Sequence, residues 1–338
     1  MIAIILVNWN GWRDTVDCVR SCLTLEGVEA RIVVCDNASN DGSVEKIAAW
    51  ARGELDVPSD PDSPVPLSQS HLPDGVTVLD RAQAEAGEDA GGAQLVIVRT
   101  GANLGFAGGN NVGLRWALAR GASHAWLLNN DTVVPRDSLA ELAGFMDSHP
   151  DVGLCGSIMV VYGQPSKLQA YAGALDRTTF GARHLGEGMP SDQADQAMRA
   201  DPPKGNEVLY PVGASMLASR AFLEQVGLME EEYFLYYEEA DWVLRAEGKF
   251  DVAIAPHSVV YHKVGATAGS LTEGVSAFSA GLLYRSRLKL AARLGRRSSF
   301  SVWLSIAKDF LRAIVRGRFG QAKGIFMAAT DRVRVPGI

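Results

Sequence analysis

Three short, mostly apolar runs, each followed at once by Asn or Asp, constrain the fold of this 338-residue chain most strongly. The runs are Ile2–Val7, Arg31–Cys35 and His124–Leu128, and the residues that follow them are Asn8, Asp36 and Asn129. A continuous apolar run of this length is typical of a strand buried on both faces, and segments with helical apolar spacing lie between the runs. The alternation predicts an α/β fold with a mostly parallel sheet flanked by helices.

The rest of the chain divides by composition. Residues 52–92 contain five prolines and many small or acidic residues, which predicts a loop-rich insertion or a mobile flap. Residues 163–206 are polar and are expected to be irregular, whereas residues 208–218 predict a strand with a tight turn. We expect residues 1–275 to form the α/β domain and residues 276–338 to form a basic helical C-terminal segment.

The charge distribution narrows the class of protein. Apolar residues make up 47% of the chain and charged residues 21%, which excludes a fibrous or wholly disordered protein. The net charge of −7 argues against a nucleic-acid-binding protein. The charge is uneven, because residues 281–338 contain 13 Lys or Arg but only 2 Asp or Glu. A basic tail on an acidic body suggests an anionic surface or partner for the tail.

A cytoplasmic location is expected. The four cysteines, Cys18, Cys22, Cys35 and Cys155, form no CxxC pair and are expected to be reduced thiols. The apolar run at the start of the sequence is too short for a signal peptide, and no uninterrupted stretch of 18 apolar residues predicts a membrane span.

Polar residues at the three strand ends predict a binding rim. The segments are Asn8–Asn10, Asp36–Asn40 and Asn129–Asp131, and ligands of open α/β sheets bind at the carboxyl ends of the strands. One such segment would be ordinary turn chemistry, but three on one edge favour a polar pocket. The carboxylate of Asp36 could accept hydrogen bonds from a nucleobase or a ribose hydroxyl, or it could open the following helix as a turn residue.

A glycine- and asparagine-rich segment, residues 101–111, adds a second candidate for ligand contact. Its glycines would let the backbone approach a ligand closely, and Asn103, Gly105 and Asn110 are the candidate residues. The segment lacks the Gly-Lys-Ser/Thr sequence of a phosphate-binding loop, and a sharp turn into a helix is an equal alternative.

Asp131 and His262 are candidate metal ligands. A carboxylate at a strand end suits a hard divalent cation that bridges a diphosphate. One carboxylate does not hold such a cation tightly, so a remote ligand is needed, and His262, which lies ahead of Thr267 and Ser270, is the candidate. The alternative is a structural histidine.

Three carboxylates follow an aromatic stretch, Tyr233–Tyr237, and are candidates for acid–base chemistry. They are Glu238, Glu239 and Asp241. Apolar surroundings raise the pKa of a carboxyl group and make its carboxylate a better base. The alternative is a charged first turn of a helix, where acidic residues are stabilised by the helix dipole.

Six short motifs, in this order, resemble those of the family 2 glycosyltransferases of the GT-A fold, and of their bacterial rhamnosyltransferase-like branch in particular. The motifs are Val7–Asn10, Asp36–Ser43, Asn103–Asn110, Leu128–Asp131, Gly213–Leu217, and Phe234–Tyr236 followed by Glu238–Asp241 and Arg245. The resemblance implies a GT-A fold with a Rossmann-like sheet, an inverting transfer from a nucleotide-sugar donor, and a divalent metal, Mg²⁺ or Mn²⁺.

The resemblance also implies roles for individual residues. Glu239 takes the position of the catalytic base, where the family more often has Asp. Asp131 takes the place of a metal ligand, with His262 near the diphosphate, and Asn129 replaces the first Asp of the metal-binding motif. Glu238, Asp241 and Arg245 would support the acceptor side. The residues expected to contact the nucleotide or donor are Asn8, Asn10, Asp36, Asn103, Gly105, Asn110, Asn129 and Asn130.

The substrates are less constrained than the reaction. The branch points to dTDP-rhamnose, with a UDP-sugar or a non-catalytic nucleotide-sugar-binding protein as alternatives. The acceptor would be a glycan or a polyprenyl-diphosphate-linked glycan in cell-surface polysaccharide synthesis. Two interpretations of the C-terminal segment stay open: attachment to an anionic membrane on its cytoplasmic face, or a helical cap or dimer contact. They concern the amphipathic residues 300–315 and six preceding basic residues, Arg285, Arg287, Lys289, Arg293, Arg296 and Arg297.

Overall fold

The computed structural model describes residues 1–69, 71–72, 75–88, 90–263, 276–296 and 299–334. Thr267, Ser270, Arg297 and the expected boundary at residue 275 lie outside these ranges. Within the described residues the main sheet has ten strands. They are β1 (Ile2–Asn8), β2 (Ala30–Asp36), β3 (Val76–Asp80), β4 (Leu95–Arg99), β5 (His124–Asn129), β6 (Thr132–Val133), β7 (Val152–Val161), β8 (Leu168–Ala170), β12 (Ser215–Ser219) and β13 (Asp251–His262), and β9 to β11 form the second sheet described below.

The strand order of the main sheet is β3-β4-β2-β1-β5-β12-β7-β13-β6, and β8 pairs with β7. The first five strands in this order run parallel to one another, as does β7 to β13, whereas β12 is antiparallel to both of its neighbours. The sheet is therefore mixed and mostly parallel, and the α/β fold class predicted from the sequence is confirmed.

Helices cover both faces of the sheet. Side chains at alternate positions of β1 enter two cores: Ile4 joins the core that includes α1, α2 and α5, and Ile5 joins the core that includes α3, α4, α7 and α8. This is why the strands of the sheet appear as continuous apolar runs. The helices are α1 (Trp12–Cys22), α2 (Ser43–Ala51), α3 (Arg81–Glu85), α4 (Gly105–Ala119), α5 (Ser138–Ser148), α6 (Ala194–Ala200), α7 (Arg220–Val226) and α8 (Glu238–Ala246).

The three polar strand ends meet at one edge of the sheet. Asn8 pairs in register with Asp36, and Val7 pairs with Asn129. The proximity that the sequence predicts for these residues is confirmed.

The insertion is more ordered than a mobile flap. Residues 52–69 are mostly loop, but the guanidinium of Arg20 donates to the Val57 carbonyl and the Tyr162 hydroxyl donates to Asp60 at 2.9 Å. Residues 76–80 form β3, which is the edge strand beside β4. The side chains of Asp80 and Gln83 then cap α3 reciprocally.

The expectation of an irregular segment at residues 163–206 is wrong. This segment contains β8, β9 (Ala172–Asp176), β10 (Ala182–Leu185) and α6. Strands β9 and β10 form a second, antiparallel sheet with β11 (Glu207–Tyr210). Residues 208–218 are therefore not one strand, because β11 and β12 belong to different sheets.

Three C-terminal helices pack on the body of the protein. They are α9 (Ala277–Arg293), α10 (Phe300–Val315) and α11 (Phe319–Ala329). Their apolar residues share one core with Tyr233 and Tyr237, which precede α8. These helices therefore support the segment that holds Glu238 and Glu239.

Candidate active site

Asn8 and Asp36 form the buried base of the rim. The Asn8 amide donates to Asp36 Oδ1 at 2.7 Å and accepts a hydrogen bond from the Thr15 hydroxyl at 2.8 Å. The second carboxylate oxygen of Asp36 accepts from the backbone N–H of Ser39 at 3.0 Å. Both side chains are buried. These contacts fix the shape of the rim, because the polar atoms of both side chains have partners within the protein.

The exposed part of the rim lies next to this network. Asn10 has a left-handed backbone (φ 53°), its backbone N–H donates to the Ser39 hydroxyl at 2.9 Å, and its side-chain oxygen accepts from the backbone of Asn40 at 2.8 Å. Trp9 is 48% exposed, which is unusual for a residue this large. The sequence analysis did not single out Trp9, although an aromatic residue inside a polar strand-end motif was the available signal.

The amide of Asn130 joins the same network from β5. It donates to the Thr15 hydroxyl at 2.9 Å and lies 3.4 Å from the Asn8 side-chain oxygen. The ends of β1 and β5 are thus tied together through side chains as well as through the sheet.

The glycine-rich segment is a turn only as far as residue 104, because α4 begins at Gly105. A Cβ atom on Gly105, which has φ 71°, would lie 2.3 Å from the Phe234 carbonyl oxygen, and the backbone N–H of Phe106 donates to that same oxygen at 2.9 Å. A Cβ on Gly109 would lie 2.9 Å from the side chain of Val7. These two glycines are therefore required for packing against the protein's own backbone and sheet.

Two asparagines of this segment have internal partners. Asn103 accepts from the backbone N–H of Gly105 at 3.2 Å. Asn110 is buried in α4 and donates to the Phe106 carbonyl at 3.0 Å. Asn110 is therefore a buried residue whose side chain bonds to its own helix.

Asp131 and His262 lie together, as the sequence analysis expects of two metal ligands. Asp131 Oδ1 is 3.1 Å from His262 Nε2, and the Asn129 amide nitrogen is 3.5 Å from the same ring nitrogen. His262 Nδ1 lies 2.9 Å from Gln169 Oε1, a partner that the sequence did not indicate. Strand β13 brings His262 beside Thr132, which explains a contact between residues 131 positions apart.

This pair fits a weak divalent-metal site. The contact between Nδ1 and Gln169 Oε1 orients the ring, as a hydrogen-bond partner does for a histidine that binds a metal through its other nitrogen. The 3.1 Å separation is close to the roughly 3 Å expected between neighbouring ligands of an octahedral cation with bonds of about 2.1 Å. The described residues contain no cluster of three or more His, Cys, Asp or Glu side chains suited to a metal. The remaining ligands would have to come from a substrate.

The backbone before α8 is strained. Tyr236 and Tyr237 have φ values of 69° and 72°, and a left-handed conformation costs a non-glycine residue about 1–2 kcal/mol. Two contacts hold it: the Tyr237 hydroxyl donates to the Phe180 carbonyl at 2.7 Å, and the Ser286 hydroxyl of α9 donates to the Leu235 carbonyl at 2.9 Å. The strain is confined to the residues that set the start of α8.

Glu239 lies beside the rim. A Cβ on Gly213 would lie 3.3 Å from Glu239 Oε1. The next residue, Ala214, accepts from the backbone N–H of Asn129 at 3.0 Å, and Ser215 pairs with Leu128 of β5. The carboxylate therefore stands next to the strand that delivers Asn129, Asn130 and Asp131.

Burial dominates the electrostatics of the two glutamates. One carboxylate oxygen of each, Oε2, is buried without a hydrogen-bond partner among the described residues. Burial raises the pKa of Glu239 to about 7, and burial followed by the proximity of Glu239 holds the pKa of Glu238 well above its usual range. Near neutral pH Glu239 therefore gains or loses its proton, and burial favours the protonated form of Glu238.

Asp241 and Arg245 hold α8 in place. The Arg245 guanidinium donates to Asp241 at 2.8 Å and to the carbonyls of Val226, at the end of α7, and Leu228, each at 2.8 Å. The other oxygen of Asp241 accepts from Arg293 of α9 at 3.1 Å. These contacts give both residues a supporting role, and they lie about one and two turns of α8 beyond Glu238.

Comparisons with known proteins agree with this geometry. The family model described as Glycosyl transferase family 2 matches residues 74–201. The hexosyltransferase Agl10 of low-salt glycan biosynthesis in Haloferax volcanii is 25% identical over 150 residues, covering 44% of this chain and 45% of that protein. The dTDP-rhamnosyl transferase RfbF of Shigella flexneri is 23% identical over 173 residues, covering 50% of this chain and 52% of that protein. The matches thus span about half the length of each of these two relatives.

A solved structure supports the fold. The mannosyltransferase PcManGT from Pyrobaculum calidifontis, crystallised with GDP-Man and Mn²⁺, superposes with a TM-score of 0.52 at 13% identity, covering 98% of this chain and 86% of that one. The GT-A fold expected from the sequence is confirmed.

Proposed function

We propose that the chain belongs to glycosyl transferase family 2, whose model matches residues 74–201, and that it is an inverting glycosyltransferase that moves a sugar from a nucleotide-diphosphate donor to an acceptor hydroxyl. Glu239 carries the proposal, because its carboxylate is buried, has one unpaired oxygen and lies beside the polar rim.

The reaction is a single displacement. Glu239 in its ionised form takes the proton of the acceptor hydroxyl while that oxygen attacks the anomeric carbon, and the bond to the nucleoside diphosphate breaks. The attack from the opposite face inverts the anomeric configuration and requires no carboxylate nucleophile. A pKa of about 7 suits this role, since the base is partly ionised near neutral pH and still binds a proton firmly.

The donor is proposed to be dTDP-rhamnose. Its support is the order of the sequence motifs and the match to a protein named as a dTDP-rhamnosyl transferase. The nucleoside would lie over the buried side chains of Asn8 and Asp36, with Asn10 at the exposed end. The exposed Trp9 indole offers a surface on which a nucleobase can stack. A UDP-sugar is the alternative donor for the same rim.

Asp131 and His262 would hold a divalent cation, Mg²⁺ or Mn²⁺, together with the donor diphosphate. When bound, this cation neutralises negative charge on the leaving diphosphate. Asn129, which replaces the Asp of the family motif, lowers the negative charge of the site and makes it more dependent on the donor for ligands. The acceptor is proposed to be a glycan or a polyprenyl-diphosphate-linked glycan at the cytoplasmic face of a membrane.

Replacement of Glu239 tests the proposal. The Glu239→Gln variant should lose transfer by at least about 100-fold, as expected on removal of a general base, and should keep nucleotide binding within a few-fold. Turnover of dTDP-rhamnose and of UDP-sugars with Mg²⁺ or Mn²⁺ measures the first effect, and the nucleotide-induced rise in melting temperature measures the second. The same change at solvent-exposed Glu232 is the matched control.

Two outcomes would contradict the assignment. Wild-type turnover in Glu239→Gln would remove Glu239 from the base position. Nucleotide binding without turnover of any donor by the wild type would favour a non-catalytic nucleotide-sugar-binding protein, an alternative that Asn129 also favours.

A further inference from the structure

The α10 helix presents an apolar face to solvent. Phe300, Leu311 and Val315 are 78%, 60% and 85% exposed. At 3.6 residues per turn, the exposed apolar side chains fall within an arc of about 120°. They are Phe300, Trp303, Leu304, Leu311, Ile314 and Val315. The opposite side of the helix packs into the protein through Val302, Ile306 and Ala313. The helix is therefore apolar on two sides, and only one of them is covered.

Basic side chains border this exposed face. Residues 299–334 contain seven Lys or Arg and two Asp or Glu. A cavity of about 160 Å³ lies between α9, α10 and α11, and its wall includes Asp309 as well as Arg312, Arg316 and Arg318. Asp309 pairs with Arg287 and Arg312, so the arginines outnumber the one carboxylate of the wall. In the part of the chain that the structure describes, the side chains of Arg316 and Arg318 have no hydrogen-bond or ion-pair partner. The cavity therefore suits an anionic group.

Three basic residues of α9 are not part of this surface. Arg287 is buried and pairs with Asp309 at 3.0 Å, and Arg293 pairs with Glu230 and with Asp241. Lys289 donates to the Glu232 carbonyl. These three side chains hold α9 to the body of the protein, and the charges beside the apolar face belong to α10, α11 and the turn between them.

We propose that the exposed face of α10, together with Phe319 at the start of α11, lies on a bilayer that contains anionic lipids, and that the arginine-lined cavity receives a head-group phosphate. A helix with an apolar face and flanking Lys or Arg lies in the plane of such an interface. No helix among the described residues is long and apolar enough to cross a membrane. The proposal rests on this surface alone and is independent of the proposed transfer reaction.

A second copy of the chain fits this surface less well. A twofold interface places the same patch of both subunits face to face. The excess of basic residues on α10 and α11 would then lie opposite an identical excess, and like charges across an interface oppose association. An anionic bilayer supplies both the apolar phase and the opposite charge.

Co-sedimentation of the full chain with extruded vesicles tests the proposal. We expect binding to vesicles in which about a third of the lipid is phosphatidylglycerol and the rest phosphatidylcholine. Binding to phosphatidylcholine alone should be weak, and high salt should release the protein from the anionic vesicles. The Arg316→Gln/Arg318→Gln variant should bind about 25-fold more weakly, because each charge near an anionic surface accounts for about a fivefold change in affinity. Leu311→Ser/Val315→Ser should also lose binding.

The controls separate this surface from general charge. Lys167→Gln/Arg199→Gln removes two exposed positive charges elsewhere and should bind as the wild type does. All variants change exposed or half-buried positions, and their melting curves verify folding. Free inorganic phosphate at millimolar concentration should not displace the vesicles. Three outcomes would each overturn the proposal. The wild type fails to bind anionic vesicles, or the arginine variant binds as well as the wild type does. In the third, light scattering shows a dimer that Leu311→Ser/Val315→Ser dissociates.

Discussion

The buried charge of Glu239 should make this protein less stable as the pH rises, and its replacement should remove part of that loss. In the folded protein burial raises the pKa of Glu239 from its ordinary value of 4.5 to about 7. Below pH 4.5 the carboxyl group is neutral in both the folded and the unfolded chain, so it imposes no penalty. As the pH rises from 4.5 to 7, only the unfolded chain releases the proton readily, so the free energy of the unfolded state falls relative to that of the folded state.

The size of this effect follows from the two pKa values. A tenfold change in a protonation equilibrium corresponds to about 1.4 kcal/mol, so the free energy of unfolding should fall by about 3 kcal/mol over this range because of Glu239. Gln has the shape of the neutral carboxyl group and does not ionise. Glu239→Gln should therefore match the wild type near pH 4.5 and exceed its stability by about 3 kcal/mol at pH 8.

Urea unfolding at pH 4.5, 6 and 8 measures the difference between variant and wild type. Glu238 is present in both proteins, but the charge of Glu239 raises its pKa only in the wild type, so this coupling acts in the same direction and adds to the difference. Glu232→Gln, at an exposed site, should show no such trend. A stability difference for Glu239→Gln that stays constant from pH 4.5 to pH 8 would refute the claim that position 239 holds a buried, unpaired carboxylate.

Two further predictions concern the turn before α4 and the histidine of the proposed metal site. Gly105→Ala should lower the free energy of unfolding by more than about 2 kcal/mol, because its Cβ would overlap the carbonyl oxygen of Phe234. Gly101 has a similar φ but open space around it, so Gly101→Ala should lower the free energy of unfolding by only about 1 kcal/mol. Urea titration measures both. Gln169→Ala should weaken Mn²⁺ binding about 10- to 100-fold, because the ring of His262 would lose the partner that orients it. Titration calorimetry in the presence of nucleoside diphosphate measures the affinity. An unchanged affinity would show that Gln169 does not orient the ring.

The sequence predicted the rim well because its cause is local. An apolar run that ends in Asn or Asp marks both a strand and the place where that strand stops, and parallel pairing then brings such ends to one edge. Asn8, Asp36 and Asn129 meet for this reason. The pairing of Asp131 with His262 was also expected, but only as one of two alternatives for a lone histidine.

Other features depend on distant pairing that no local pattern encodes. Strands β9 to β11 are short and lie in a polar region. Their alternation of apolar and polar residues is too brief to predict strands where the polar composition indicates a loop. The glycines at 105 and 109 suggested contact with a ligand, whereas the chain itself occupies the space beside them. The aromatic neighbours marked three carboxylates together, and the family resemblance assigned the base position to Glu239. Its place beside Gly213 follows from the course of β12, which the sequence pattern did not separate from β11.

The support of Tyr236 and Tyr237 has a consequence for how this protein can be shortened. Their uncommon backbone is held from one side by the carbonyl of Phe180 and from the other by Ser286 on α9. Residues far from α8 in the sequence therefore hold the start of this helix in place. A protein cut before α9 would keep every residue of the rim but lose the hydrogen bond from Ser286, so we expect Glu239 to leave its place beside Gly213.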